Sequence, residues 1–238
     1  MNTDVLKIIK SKGYWRINFE PVVYGEKIKK LGECKDIVEK NIVELRGWDY
    51  PHYPRRTGKD AGLDPGSNFY QGWIDWYDHK ELWRMYQSAQ FLHYFALRDD
   101  WMELAHWGIV PDAAKESKNT LNIIGEVVYE MTEVFEFLSR LTRTGIYDEG
   151  VRVSISLNKT KDRELVVMDA MRAPLMGAYK AAVDKIEFVR EYKKEELLDQ
   201  SKEFAFGVIL YIFERFGWDN PPLGTIKHDQ ENLLSGKA

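Results

Sequence analysis

The sequence predicts an α+β fold: a mostly antiparallel sheet of about six to eight strands with two main helices packed on it. Three features predict it. Segments of strict two-residue alternation recur, the clearest at Tyr14 to Glu20 and Val151 to Leu157. Two stretches, residues 129–142 and 199–216, carry apolar residues at three- and four-residue steps. The chain is also rich in residues that suit a pleated surface, with eight Trp and thirteen Tyr.

Taken in order, residues 4–12 read as a short amphipathic helix ended by Gly13. Tyr14 to Glu20 sets Trp15, Ile17 and Phe19 against Arg16, Asn18 and Glu20, a strand stopped by Pro21. Residues 26–40 place Ile28, Leu31, Ile37 and Val38 among charges, a helix weakened at Gly32. Asn41 to Trp48 reads as a strand. Residues 49–68 read as a long loop, because Pro51, Pro54, Gly58, Gly62, Pro65 and Gly66 interrupt any regular element. Loops of that length inside a domain are uncommon and are often functional.

A hairpin follows. Phe69 to Tyr77 forms its first strand, Asp78 to Lys80 the turn, and Leu82 to Gln87 the return. A bulge at Ser88-Ala89 would continue the return strand to Leu97. Asp99 to Ala105 reads as a short capped helix. Residues 121–128 suit a helix or a buried strand, and the spacing alone leaves both open. Residues 129–142 read as a helix, with Glu126, Glu130, Glu133 and Glu136 set apart from its apolar stripe. Val151 to Leu157 and Arg163 to Asp169 read as paired strands, and Ile186 to Lys193 as a third. A helix capped by Asp199 or Ser201 runs to Phe216, where Gly217 and Pro221-Pro222 end it. The whole reads as one domain, 1–238, with a soft boundary near 108–118.

Composition narrows the functional classes. At 238 residues the chain can bury a substantial core. Its net charge of −4 gives no general attraction to nucleic acid or to anionic membrane. Its single cysteine, Cys34, excludes an intramolecular disulfide and a cysteine-based zinc cluster, and fits a reducing compartment. No signal peptide or membrane span is legible at the N-terminus or in the apolar run 204–213, so a cytoplasmic location is expected. Glycine-rich phosphate loops, nucleophile elbows and dinucleotide fingerprints are absent. The histidines match no ligand spacing, and His93, inside an aromatic strand, reads as a hydrogen-bonded core residue.

The most distinctive segment is Arg46-Gly-Trp-Asp-Tyr-Pro-His-Tyr-Pro-Arg-Arg56. Its prolines lower the entropy cost of presenting side chains. Its arginines suit carboxylates or phosphates, and its aromatics suit stacking. The expected binding residues are Arg46, Trp48, Tyr50, His52, Tyr53, Arg55 and Arg56, joined by Trp73, Trp76 and Trp83 of the following hairpin.

Two resemblances bear on function. The words Arg-Gly-Trp-Asp-Tyr-Pro (46–51), Tyr-Gln-Ser-x-Gln-Phe (86–91), Thr-Glu-x-Phe-Glu-Phe-Leu-x-Arg-Leu (132–141) and Phe-Gly-Trp-Asp (216–219) resemble a group of uncharacterised bacterial proteins. That resemblance implies a bacterial cytoplasmic origin and one continuous domain, and carries no activity. The order helix, three strands, helix over 129–216 is similar to the core of the PD-(D/E)xK nuclease family. The resemblance implies that Asp169 and Glu191 would hold a magnesium ion, with Lys193 orienting the attacking water. The expected function is a non-catalytic, intracellular binding or adaptor module. Its partner is a protein by preference, since there is no basic run, or a nucleic acid; membrane is excluded and a homo-oligomer left open. No cofactor is expected in that reading. The alternative is a Mg-dependent nuclease, and a role in a bacterial defence system is a third reading carried by no residue.

Overall fold

The computed structural model describes residues 3–102, 119–169 and 171–237. The soft boundary near 108–118 and the end of the helix expected at 99–105 lie outside them.

The strands are β1 (Tyr14–Pro21), β2 (Ala61–Pro65), β3 (Phe69–Asp75), β4 (Lys80–Tyr86), β5 (Phe91–Ala96), β6 (Thr120–Asn122), β7 (Val151–Asn158), β8 (Glu164–Val166) and β9 (Lys185–Tyr192). Among the described residues, seven of them form one sheet in the order β2-β3-β4-β5-β1-β7-β9. Every neighbouring pair in it is antiparallel. The helices are α1 (Thr3–Ile9), α2 (Leu31–Asn41), α3 (Glu130–Arg143), α4 (Lys194–Arg215) and α5 (Leu223–Leu234), and a π-helical segment, Ile123–Tyr129, leads into α3. The α+β class is the one the sequence predicts. No helix among the described residues is long and apolar enough to cross a membrane.

Alternation divides the sheet into two faces. Trp15, Ile17 and Phe19 of β1 join Trp83 and Met85 of β4, Phe91 and Phe95 of β5, and Val153 and Ile155 of β7 in one buried cluster. Cys34 and Val38 of α2, Phe135 and Leu138 of α3, and Ile209 and Ile212 of α4 close that cluster from the helical side. The opposite face is covered locally by α1, whose Val5 and Ile9 pack on Trp73 and Leu82.

Several elements differ from expectation. The segment 41–48 is no strand: Gly47 takes φ +82° and turns the chain, so that Val43 bridges to Tyr50. Part of the expected long loop is β2. There is no single bent strand after β4. Ala89 adopts φ +64° in a tight turn, and β5 returns antiparallel to β4. Residues 121–128 divide between both readings, with β6 passing into the π-helical segment. The helix expected from residue 199 begins at Lys194.

The largest change concerns the expected pairing of 151–157 with 163–169. Here β7 pairs with β1 and β9, while β8 pairs parallel to β6 in a separate two-stranded sheet. A buried ion pair directs this. Arg163, just before β8, grips both oxygens of Asp100 at 2.8 Å and donates to the Thr120 carbonyl at 2.5 Å. Leaving that guanidinium buried without partners would be costly, so β8 is drawn to β6 and away from β7.

Candidate functional site

The segment 46–56 crosses the end of the sheet where the β3–β4 turn meets the start of α3, and it separates into a buried clamp and an exposed rim.

The clamp begins with three glutamates. Glu126, Glu130 and Glu133 fall on one stripe of the π-helical segment and α3, and all three are buried. Arg46 reaches across to them. Its Nε donates to Glu133 Oε1 at 3.1 Å, and its Nη2 donates to Glu130 Oε1 at 2.7 Å and to Glu133 Oε2. Its Nη1 donates to the Gly125 carbonyl at 3.2 Å. Burial opposes the Arg46 charge, but Glu130 and Glu133 outweigh it and hold the guanidinium ionised. Burial pushes Glu133 up to about 7, against the pull of Arg46. Burial, with Asp99 and Glu130 nearby, raises Glu126 well above the usual carboxylate range. The Glu126 carboxyl accepts the Arg98 backbone N–H at 3.1 Å.

A fourth buried acid completes the clamp. Glu81 stands on the helix-facing side of β4, paired with Phe95 of β5. Its Oε1 accepts the backbone N–H of His52 at 2.6 Å, and its Oε2 lies 3.1 Å from His79 Nε2. The His93 ring is 3.7 Å away. Burial would raise Glu81, but the imidazoles of His79 and His93 win and hold it well below the usual range. His93 is fully buried, and its Nδ1 meets the Tyr50 hydroxyl at 3.3 Å. The loop is pinned once more where the Trp83 indole N–H donates to the His52 carbonyl at 2.9 Å and Tyr53 stacks on that indole.

The rim is aromatic. The His52 ring centroid lies 4.8 Å from Trp76 and 5.6 Å from His79, and Trp48 lies 6.5 Å from His79. Trp48 also receives the guanidinium groups of Arg98 and Arg46, 4.6 and 5.1 Å from its ring centroid. Trp76 is 44% exposed, and Tyr77 beside it in the turn is 67% exposed. Arg55 and Arg56 flank the rim in solvent, Arg55 bridging to Asp49 and Glu44. Burial lowers the His52 pKa, against an opposing pull from Glu81.

The expected binding set therefore divides. Trp76, Arg55 and Arg56 face solvent, and Trp48 and His52 are half-buried. Arg46, Tyr50, Tyr53 and Trp83 are drawn inward, and Trp73 lies on the opposite face of the sheet under α1. The physical reason is pairing: the clamp needs the Arg46 charge, and the Trp83 N–H needs a carbonyl. The sequence expectation leaves out Tyr77, His79 and Glu81, and the Glu126, Glu130 and Glu133 stripe, which the structure brings to the site. The four-plus-three spacing of those glutamates was a usable signal for a shared face.

The residues of the nuclease resemblance are not brought onto one sheet. Asp169 follows β8 in an exposed loop, accepting the Met171 N–H at 2.9 Å and Arg172 Nε at 3.0 Å. Glu191 lies on β9 opposite Arg152, and Lys193 precedes α4 as its N-cap. Among the described residues, no three His, Cys, Asp or Glu side chains are grouped so as to hold a metal ion.

No family model matches the chain, and neither the curated proteins nor the solved structures include one significantly similar to it.

Proposed function

We propose that this chain is a non-catalytic binding module whose recognition surface is the rim formed by Trp48, His52, Trp76, Tyr77 and His79. The observation that supports it most is the pairing of opposites at one place: exposed Trp76 and Tyr77 stand beside a loop fixed by largely buried ion pairs. Aromatic and arginine side chains anchor most protein interfaces, and a support ordered in advance lowers the entropy cost of docking. Here Arg55 and Arg56 provide the flanking charge. The net charge of −4 favours a protein partner over a nucleic acid. Burying four carboxyl groups and the Arg46 guanidinium is expensive, which argues that the arrangement serves a site.

The test is site-directed photocrosslinking in cells of the source organism. Benzoyl-phenylalanine in place of Tyr77 is expected to capture one discrete protein. The same group in place of Val189, exposed on the edge strand β9, is expected not to capture it. Equal capture from both positions, or none from Tyr77, removes the proposal. Capture of nucleic acid alone would reassign the partner class.

A further inference from the structure

A second concavity lies apart from the rim and shares none of its residues. The start of the π-helical segment, the loop after β8 and the α4–α5 connection with α5 enclose about 670 Å³. Small-molecule sites typically range from about 300 to 1,000 Å³ and are mostly apolar with a few placed polar groups. This cavity has that composition. Ile123, Val167, Leu175 and Ile226 supply aliphatic walls, and Tyr179 stacks on Trp218 with ring centroids 5.3 Å apart at 26°.

Its polar end has a definite sign. Arg172 donates from Nη1 and Nη2 to the two oxygens of Asp229 at 2.6 and 2.7 Å, and from Nε to Asp169 at 3.0 Å. Asp229 is buried. Asp229 lines the cavity and exposed Asp169 holds the same guanidinium from the solvent side, so the three groups together carry one net negative charge. Arg172 is the one permanent cation among the described lining residues, and it is already committed to both acids. Each Asp229 oxygen retains lone-pair capacity beyond the one bond it accepts. An anionic ligand would meet uncompensated negative charge. A protonated amine would neutralise it, and a flat ring would lie against the aromatic pair.

We propose that this cavity binds a small planar compound bearing a protonated amine, its ring against Tyr179 and Trp218 and its ammonium at the Asp229 end. The rim is not involved, so the two proposals stand or fall separately.

Calorimetric titration of the full chain with three matched indoles tests it: tryptamine, neutral 3-ethylindole and indole-3-propionate. Tryptamine is expected to bind saturably, the neutral analogue about tenfold more weakly and the carboxylate more weakly still. Asp229→Asn is expected to remove the preference for tryptamine over 3-ethylindole. Met176 lines the cavity from an exposed loop position, so Met176→Trp can obstruct it without touching the core. That variant is expected to weaken both ring ligands while the melting temperature stays the same. Indole-3-propionate binding as tightly as tryptamine, an unchanged preference in Asp229→Asn, or no saturable binding of any probe would overturn the proposal.

Discussion

Arg46 and Glu133 meet fork to fork inside the protein, with the Arg46 side chain 11% exposed and the Glu133 side chain not exposed at all. Glu130 shares the same guanidinium. A pair this deep gains little over an apolar replacement, yet removing one member leaves a buried charge without a counterion. Arg46→Met is therefore expected to lower stability by about 3–5 kcal/mol. Adding Glu130→Gln and Glu133→Leu should recover most of the loss, because the orphaned charges go with the arginine. Urea unfolding midpoints of the single and triple variants check this. A single variant as stable as the parent would show that the clamp carries no load.

The same carboxyl sets a pH dependence. Burial raises the Glu133 carboxyl from its ordinary value of 4.5 to about 7. An acid raised on folding binds its proton more tightly in the native state. Its contribution to stability is full below the ordinary carboxylate value and is lost as pH rises through the folded value. Glu133→Gln, which cannot ionise, is expected to gain on wild type between about 4.5 and 7, on the order of a few kcal/mol. Glu81, held low, works in the opposite sense: its contribution is present above the ordinary range and lost as pH falls far below it. Unfolding curves of both proteins across that interval decide the matter. A gap independent of pH would mean that Glu133 is not raised.

Behind the loop, Gly72 of β3 pairs with Trp83 of β4, and the indole lies directly over the glycine. A methyl group at residue 72 would come within 2.4 to 2.6 Å of three atoms of the Trp83 indole. Because that ring also fixes the His52 carbonyl and stacks on Tyr53, it has little freedom to move. Gly72→Ala is expected to cost about 1–3 kcal/mol. It should also speed hydrogen exchange of the His52 amide, which is otherwise held by Glu81. Unchanged protection of that amide would break the link between this packing and the loop.

What the sequence made legible follows the range of the forces involved. β1 and β7, and the helices α3 and α4, announce themselves through local periodicity, because burial of one face repeats every two or every three to four residues. Periodicity pairs β8 with β7, but its placement depends on Arg163 meeting Asp100, 63 residues away in the chain. The β4–β5 turn looks like a bulge in sequence because Ala89 carries no sign of its positive φ. At the site, the distinctive words of 46–56 marked the right segment. Which of its side chains turn inward depended on glutamates 84 and 87 residues further on, and spacing within the segment has no access to that.

In the proposed function, exposed Trp76 and Tyr77 carry recognition while the clamp carries structure. The most direct measurement compares affinity and stability in one double variant, Trp76→Ala with Tyr77→Ala, using the partner captured at Tyr77. Affinity is expected to fall by about 100-fold or more, the loss of two interface anchors. The unfolding free energy is expected to move by less than about 1 kcal/mol, as for exposed positions. Partner binding that survives the double variant unchanged would contradict the account.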